Sequence, residues 1–115
     1  ILLVEDEYLP AIHLKTVLGR AGHEIIGPAS TSTEALALAR SSKPDIILMD
    51  IRLAGQDDGI ETARLIGEFS GAKVIFMSGY QERELRDKAM LLGPLAFLVK
   101  PVLLKDIQAA ISKFK

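Results

Sequence analysis

The segment Asp45-Ile46-Ile47-Leu48-Met49-Asp50 constrains the fold of this chain more than any other. Its apolar residues follow one another without a polar interruption, between two turn-forming carboxylates. A run of this kind reads as a strand buried on both faces, which means a parallel sheet covered by helices. Asp50 then stands at the carboxyl end of a central strand, the edge where open α/β sheets bind ligands. Other apolar runs end in the same way. Ile1-Leu2-Leu3-Val4 leads into Glu5 and Asp6, Val74-Ile75-Phe76-Met77 into Ser78, and Ala96-Phe97-Leu98-Val99 into Lys100. A parallel sheet places all these ends on one edge, so acids, a hydroxyl and an amine gather there from distant parts of the chain.

Between the runs the apolar period changes from strand to helix. Strands are predicted over 1–4, 24–29, 45–50, 73–78 and 96–99, and helices over 8–21, 32–41, 59–70, 81–92 and 103–114. Ala11, Leu14, Leu18 and Ala21 step by three and four along the first helix, as do Leu104, Ile107, Ile111 and Phe114 along the last. Thr31 with Glu34, and Asp58 with Glu61, have the spacing of capping boxes. Gly22, Gly71 and Gly93-Pro94 are helix stops. Gly27 and Pro28 weaken the second strand and put it at a sheet edge, because proline donates no ladder hydrogen bond. Five strand–helix units in 115 residues leave room only for short loops. The predicted fold is an α/β domain over residues 1–115: a five-stranded parallel sheet with helices on both faces.

Composition excludes several classes. The charge of −1, from 14 basic and 15 acidic residues, offers no basic excess for nucleic acid. There is no cysteine, hence no disulfide and no thiolate metal site, which fits a reducing, cytoplasmic setting. No apolar run approaches the roughly 18 residues of a membrane helix. The chain opens on Ile1, directly in a strand and without Met, as a domain of something longer does.

At the strand ends, Glu5, Asp6 and Asp50 crowd together if the first and third strands are neighbours. Like charges at close range need an offset, and a hard divalent cation such as Mg²⁺ (or Mn²⁺) supplies one through oxygen ligands. Lys100 precedes Pro101, and a cis bond there would turn the chain and aim the amine inward. Ser78, before Gly79, offers a hydroxyl. Carboxylate nucleophile, cation, lysine and hydroxyl together suit phosphoryl transfer to Asp50, where catalysis is mostly positioning and charge neutralisation.

The segments Leu3-Val4-Glu5-Asp6-Glu7, Ile47-Leu48-Met49-Asp50, Phe76-Met77-Ser78-Gly79-Tyr80 and Phe97-Leu98-Val99-Lys100-Pro101, in this order and at these separations, resemble the receiver domain of two-component response regulators. The resemblance covers the whole chain. It implies the flavodoxin-like strand order 2-1-3-4-5 and a phospho-acceptor at Asp50. It also implies Mg²⁺ held by Asp6, Asp50 and the backbone carbonyl of Arg52, with Glu5 acting through water. Ser78 and Lys100 would contact the phosphoryl group. Phe97 stands where the family has its switch aromatic, and Arg52 and Tyr80 where it modulates phosphoryl lifetime. The implied partner is a histidine kinase or phosphotransfer protein. The implied output face is that of the fourth helix, fifth strand and fifth helix, which also suits a second copy of the domain. The implied role is regulatory rather than enzymatic, beyond assistance to its own phosphorylation and dephosphorylation.

Other readings fit the residues less well. An aspartyl phosphatase of the haloacid dehalogenase type would carry an acid where Arg52 stands. A flavin carrier of the same fold would need a phosphate-cradling loop where Glu5-Asp6-Glu7 would repel phosphate. A receiver-like interaction module working without phosphorylation usually loses the acceptor or the lysine, and both are present. His13, within the first helix, and His23, in the turn before the second strand, read as surface or boundary residues away from the active edge. Met49, Met77 and Met90 read as core fillers.

Overall fold

The computed structural model describes residues 1–53, 58–79 and 84–113. In chain order the elements are β1 (Leu2–Val4), α1 (Tyr8–Arg20), β2 (Ile26–Ala29), α2 (Ser32–Ser42), β3 (Ile46–Asp50), α3 (Gly59–Gly67), β4 (Lys73–Ser78), α4 (Arg86–Met90), β5 (Ala96–Val99) and α5 (Leu104–Ser112). The strands pair in parallel in the order β2-β1-β3-β4-β5. This is the predicted fold, with β2 on an edge.

Alternation along each strand explains why the runs are apolar throughout. Leu2, Val4, Ile47, Met49 and Phe76 point to one side of the sheet, where they meet Ala35, Ala39, Ile60, Ala63, Ile66 and Ala89. Leu3, Leu48, Ile75 and Met77 point to the other and meet Ala11, Leu14, Leu18, Ile107 and Ala110. Successive residues therefore feed two separate cores, one under α2, α3 and α4 and one under α1 and α5.

Several boundaries differ from the sequence reading. β2 starts at Ile26 rather than at 24, and its register with β1 shifts between Leu2 and Val4. Gly27 takes a φ of 98° there, and a Cβ on it would stand 2.8 Å from both Ala29 N and Leu3 O. The backbones approach too closely for a regular ladder. α1 ends at Arg20, leaving Ala21 as an exposed cap residue rather than part of the buried face. α3 ends at Gly67, and a tight turn follows in which Phe69 and Ser70 N–H both donate to Ile66 O. α4 is much shorter than the predicted 81–92; residues 81–83 and Phe114 lie outside the described residues. After Met90 the chain tightens into i→i+3 bonds, Leu92 N–H to Ala89 O and Gly93 N–H to Met90 O. Within α4 only Ala89 is buried, and Met90 is exposed instead of filling the core, as Met49 and Met77 do.

The caps hold in part. Thr31 Oγ1 accepts from Glu34 N–H at 3.1 Å, and Glu34 Oε1 returns by accepting from Ser30 N–H at 3.1 Å. Asp58 Oδ1 accepts from Ile60 N–H at 2.8 Å and from Glu61 N–H at 3.4 Å. Glu61 instead takes a fork of hydrogen bonds from Arg64, at 2.6 and 2.8 Å, because the guanidinium one turn on is the stronger partner.

Candidate functional site

The parallel order sets the carboxyl ends of β1, β3, β4 and β5 side by side. Backbone bonds lock that edge: Glu5 N–H to Ala29 O at 2.9 Å, Ile51 N–H to Met77 O at 3.0 Å, and Lys100 N–H to Ser78 O at 2.8 Å. Glu5, Asp6 and Asp50 each bring a carboxylate oxygen to a cluster whose members lie within 4.8 Å of one another. Asp50 and Glu5 are buried, each 2% exposed, while Asp6 faces solvent.

Lys100 reaches into this cluster from the end of β5, across a Lys100–Pro101 bond that is cis. Its Nζ donates to Asp50 Oδ2 at 2.6 Å, stands 3.1 Å from Glu5 Oε1 and 3.9 Å from Glu7 Oε1. The other acceptor atoms are held by backbone. Arg52 N–H donates to Asp50 Oδ1 at 3.2 Å, and Glu7 N–H to Glu5 Oε2 at 3.2 Å. Glu5 Oε1 has the ammonium nearby but no hydrogen bond of good geometry.

One ammonium among these carboxylates does not balance them. Burial pushes the Glu5 carboxyl above its ordinary value, and the neighbouring Asp50 carboxylate adds to the effect. Asp6 is raised as well, by burial first and then by Glu5. For Lys100, burial works to lower the pKa, but the hydrogen bond and charge of Asp50, with Glu5, outweigh it and raise the value. The edge stores repulsion that a further cation would relieve. Its donors are oxygen atoms only, the kind that Mg²⁺ takes.

Ser78 ends β4 fully buried, and its Oγ has no hydrogen-bond partner. A buried hydroxyl left so is costly, and a phosphoryl oxygen on Asp50 would give it an acceptor. Phe97 pairs in register with Phe76 and packs on the α4 side of the sheet, beside Leu85 and Ala89. The Arg86 guanidinium lies 5.8 Å from its ring centroid. Tyr80 lies outside the described residues.

The structure adds two features that the sequence reading missed. A groove of about 540 Å³ opens beside Glu5 and Lys100, walled by Leu9, Pro10 and His13 of α1 and by Val102 and Leu103 before α5. His13 lines this groove rather than a featureless surface, which no pattern in the sequence signals, because it depends on how α1 crosses the sheet. The other feature is Gly59, which sits directly against the backbone of Asp50. His23 is half-buried in its turn, away from the acids.

Residues 1–112 match the response regulator receiver domain family. The transcriptional regulatory protein PdtaR of Mycobacterium tuberculosis is 34% identical over 119 residues, which cover 100% of this chain and 58% of that protein. The chain spans about half the length of PdtaR and of two other relatives that it matches well. Among solved structures, the signal receiver domain of a modulated diguanylate cyclase from Desulfovibrio desulfuricans G20 superposes with a TM-score of 0.88 at 33% identity, covering 97% of this chain and 89% of that one. A response regulator from Burkholderia pseudomallei, solved with a phosphorylated aspartic acid, calcium ion and citrate, gives 0.85 at 28% identity, covering 95% of this chain and 64% of that one.

Proposed function

Because the chain belongs to the response regulator receiver domain family, we propose that it is the phospho-accepting switch of a two-component system, with Asp50 as the acceptor. The observation that carries this reading is the 2.6 Å contact between Lys100 Nζ and the buried Asp50 carboxylate, inside a cluster that also holds the Glu5 and Asp6 carboxylates. Structural ion pairs do not normally gather surplus acids around themselves.

In the proposed reaction a carboxylate oxygen of Asp50 attacks the phosphorus of a donor phosphohistidine. The new P–O bond forms as the P–N bond breaks, and the imidazole nitrogen leaves with its electron pair and takes up a proton from water. Asp6, Asp50 and the Arg52 carbonyl, with Glu5 through water, would hold Mg²⁺ or Mn²⁺, which when bound would supply charge neutralisation to the acids and the phosphoryl oxygens. Lys100 exchanges part of its pairing with Asp50 for a phosphoryl oxygen, and Ser78 gives its unpartnered hydroxyl to another. Arg52 and Tyr80 set how long the acyl phosphate survives. The donor is a histidine kinase or phosphotransfer protein. The groove between α1 and the segment before α5 opens beside Glu5 and Lys100, the acceptor's neighbours, and the exposed Tyr8, Leu9 and Leu103 give a protein donor apolar surface to cover.

The added phosphoryl group brings roughly two negative charges. As Ser78 moves toward it, Phe97 fills the space left on the same side of the sheet and alters the face of α4, β5 and α5. That face meets an output partner or a second copy of the domain. The chain is then a regulatory acceptor rather than an enzyme with turnover on a separate substrate. Acetyl phosphate with Mg²⁺, followed by intact mass measurement, tests the reading. A phosphoryl adduct on the wild type that vanishes in Asp50→Asn is expected; an adduct unchanged in Asp50→Asn refutes the assignment.

A further inference from the structure

We infer that Gly59 is a positioning residue for the metal and for the acceptor carboxylate, an inference that rests on the phospho-acceptor reading above. Gly59 opens α3, just beyond Asp58, whose carboxylate caps the helix. Its φ is not in the left-handed region, so backbone freedom is not what the position demands. What it demands is space. A Cβ on residue 59 would collide with the Asp50 carbonyl oxygen and stand 2.8 Å from that carbonyl's carbon and 2.9 Å from Ile51 Cα. All of these atoms are backbone, so none can swing aside as a side chain would.

The junction is tied from several sides. Gly59 N–H donates to Ile51 O at 2.7 Å. Arg52 and Asp58 form an isolated antiparallel bridge that closes the stem of the intervening loop. Arg52 N–H in turn holds Asp50 Oδ1 at 3.2 Å. The helix start therefore rests on the acceptor's own carbonyl and, through this short stem, on its carboxylate.

A side chain at 59 would force the two apart. β3 is clamped between β1 and β4 with every residue buried, and α3 is anchored by Ile60, Ala63 and Ile66. Ile51 is itself tied to β4 through its N–H to Met77 O, so the stem at Arg52 is what remains to yield. Its displacement moves the backbone whose carbonyl is assigned to the metal, and it loosens the N–H that orients Asp50. Outer partners of this kind usually change metal affinity by about ten- to a hundredfold.

The test compares Gly59→Ala with Ala63→Gly, which weakens the same helix without approaching Asp50. Mg²⁺ is titrated into each protein and followed by amide NMR, with melting temperature recorded alongside. Gly59→Ala should weaken Mg²⁺ binding by at least about tenfold, whereas Ala63→Gly lowers the melting temperature and leaves Mg²⁺ affinity within about twofold. Equal Mg²⁺ affinities in the two variants would overturn the inference. Should Gly59→Ala fail to fold, wild-type hydrogen exchange decides. If the junction positions the metal ligands, saturating Mg²⁺ slows exchange at the Gly59 amide by linkage; an unchanged rate refutes the role. Wild-type protein that binds no Mg²⁺ would instead remove the phospho-acceptor reading itself, and this inference with it.

Discussion

Replacing Lys100 with methionine removes the ammonium that faces the buried acids and keeps an apolar stem of similar length. At 2.6 Å from Asp50 and 3.1 Å from Glu5, the gross attractions are about 6 and 5 kcal/mol with an effective dielectric near 20. Desolvation of the ions offsets most of this, so the measurable quantity is the cost of leaving the carboxylates unpaired. Removing one partner of a buried pair costs about 3–5 kcal/mol. Lys100 keeps 25% of its side chain in solvent, which places the expected loss near 3 kcal/mol at neutral pH, a large share of a typical domain's 5–15 kcal/mol. The loss should depend on pH. Lys100 lowers the Glu5 pKa in the wild type, so the variant's Glu5 protonates at higher pH. Between the two Glu5 pKa values the variant recovers about 1.4 kcal/mol for each unit of acidification. Urea unfolding followed by circular dichroism, at neutral and at mildly acidic pH, measures both quantities. A loss that is the same at both pH values, or below about 1 kcal/mol at neutral pH, would refute the electrostatic account of the site.

Glu5 also gives the metal-free wild type a pH signature. Its folded pKa is raised above 4.5, so its contribution to stability is complete below 4.5 and is lost as pH rises through the folded value. Melting temperature should therefore climb as pH falls through that window, and Glu5→Gln should flatten the climb. Ser78→Ala removes a buried hydroxyl that has no partner, so it should leave stability unchanged or raise it by up to about 1 kcal/mol. The same variant should slow phosphorylation from acetyl phosphate by at least about tenfold, measured by mass against time; slower phosphorylation accompanied by a stability loss would count against a purely chemical role. Thr31→Ala deletes the α2 cap and should cost about 1 kcal/mol in urea unfolding, without changing Mg²⁺ affinity.

The sheet was legible because β1, β3 and most of β4 are buried on both sides, and such burial writes unbroken apolar runs that few other structures explain. The same runs end on Asp50, Ser78 and Lys100, so the convergence of these residues followed from strand parallelism alone. Helix ends were harder. Residues 84–92 are rich in good helix formers, but α4 keeps only Ala89 in the core, and without packing the propensity does not extend the helix over them. Asp58 and Glu61 had a capping-box spacing, but Arg64 competes for Glu61 at an equally favourable spacing on the other side. Gly59 read as an ordinary residue at a helix start, because its requirement comes from the Asp50 carbonyl, a neighbour that only the tertiary fold supplies. The groove beside His13 was hidden for the same reason.

The sheet has a further consequence as a partition. The groove proposed for the phosphodonor lies on the side of Leu3, Leu48 and Met77, whereas Phe97 and α4 lie on the side of Val4, Met49 and Phe76. The sheet separates the two sides, and the acid cluster lies at the rim where its strands end. Under the proposed reading, a donor seated against α1 therefore occludes none of the surface that changes at α4. Donor and output partner then compete for space only where the output face reaches α5, beside the groove wall at Val102 and Leu103; over α4 their order of arrival is set by affinity.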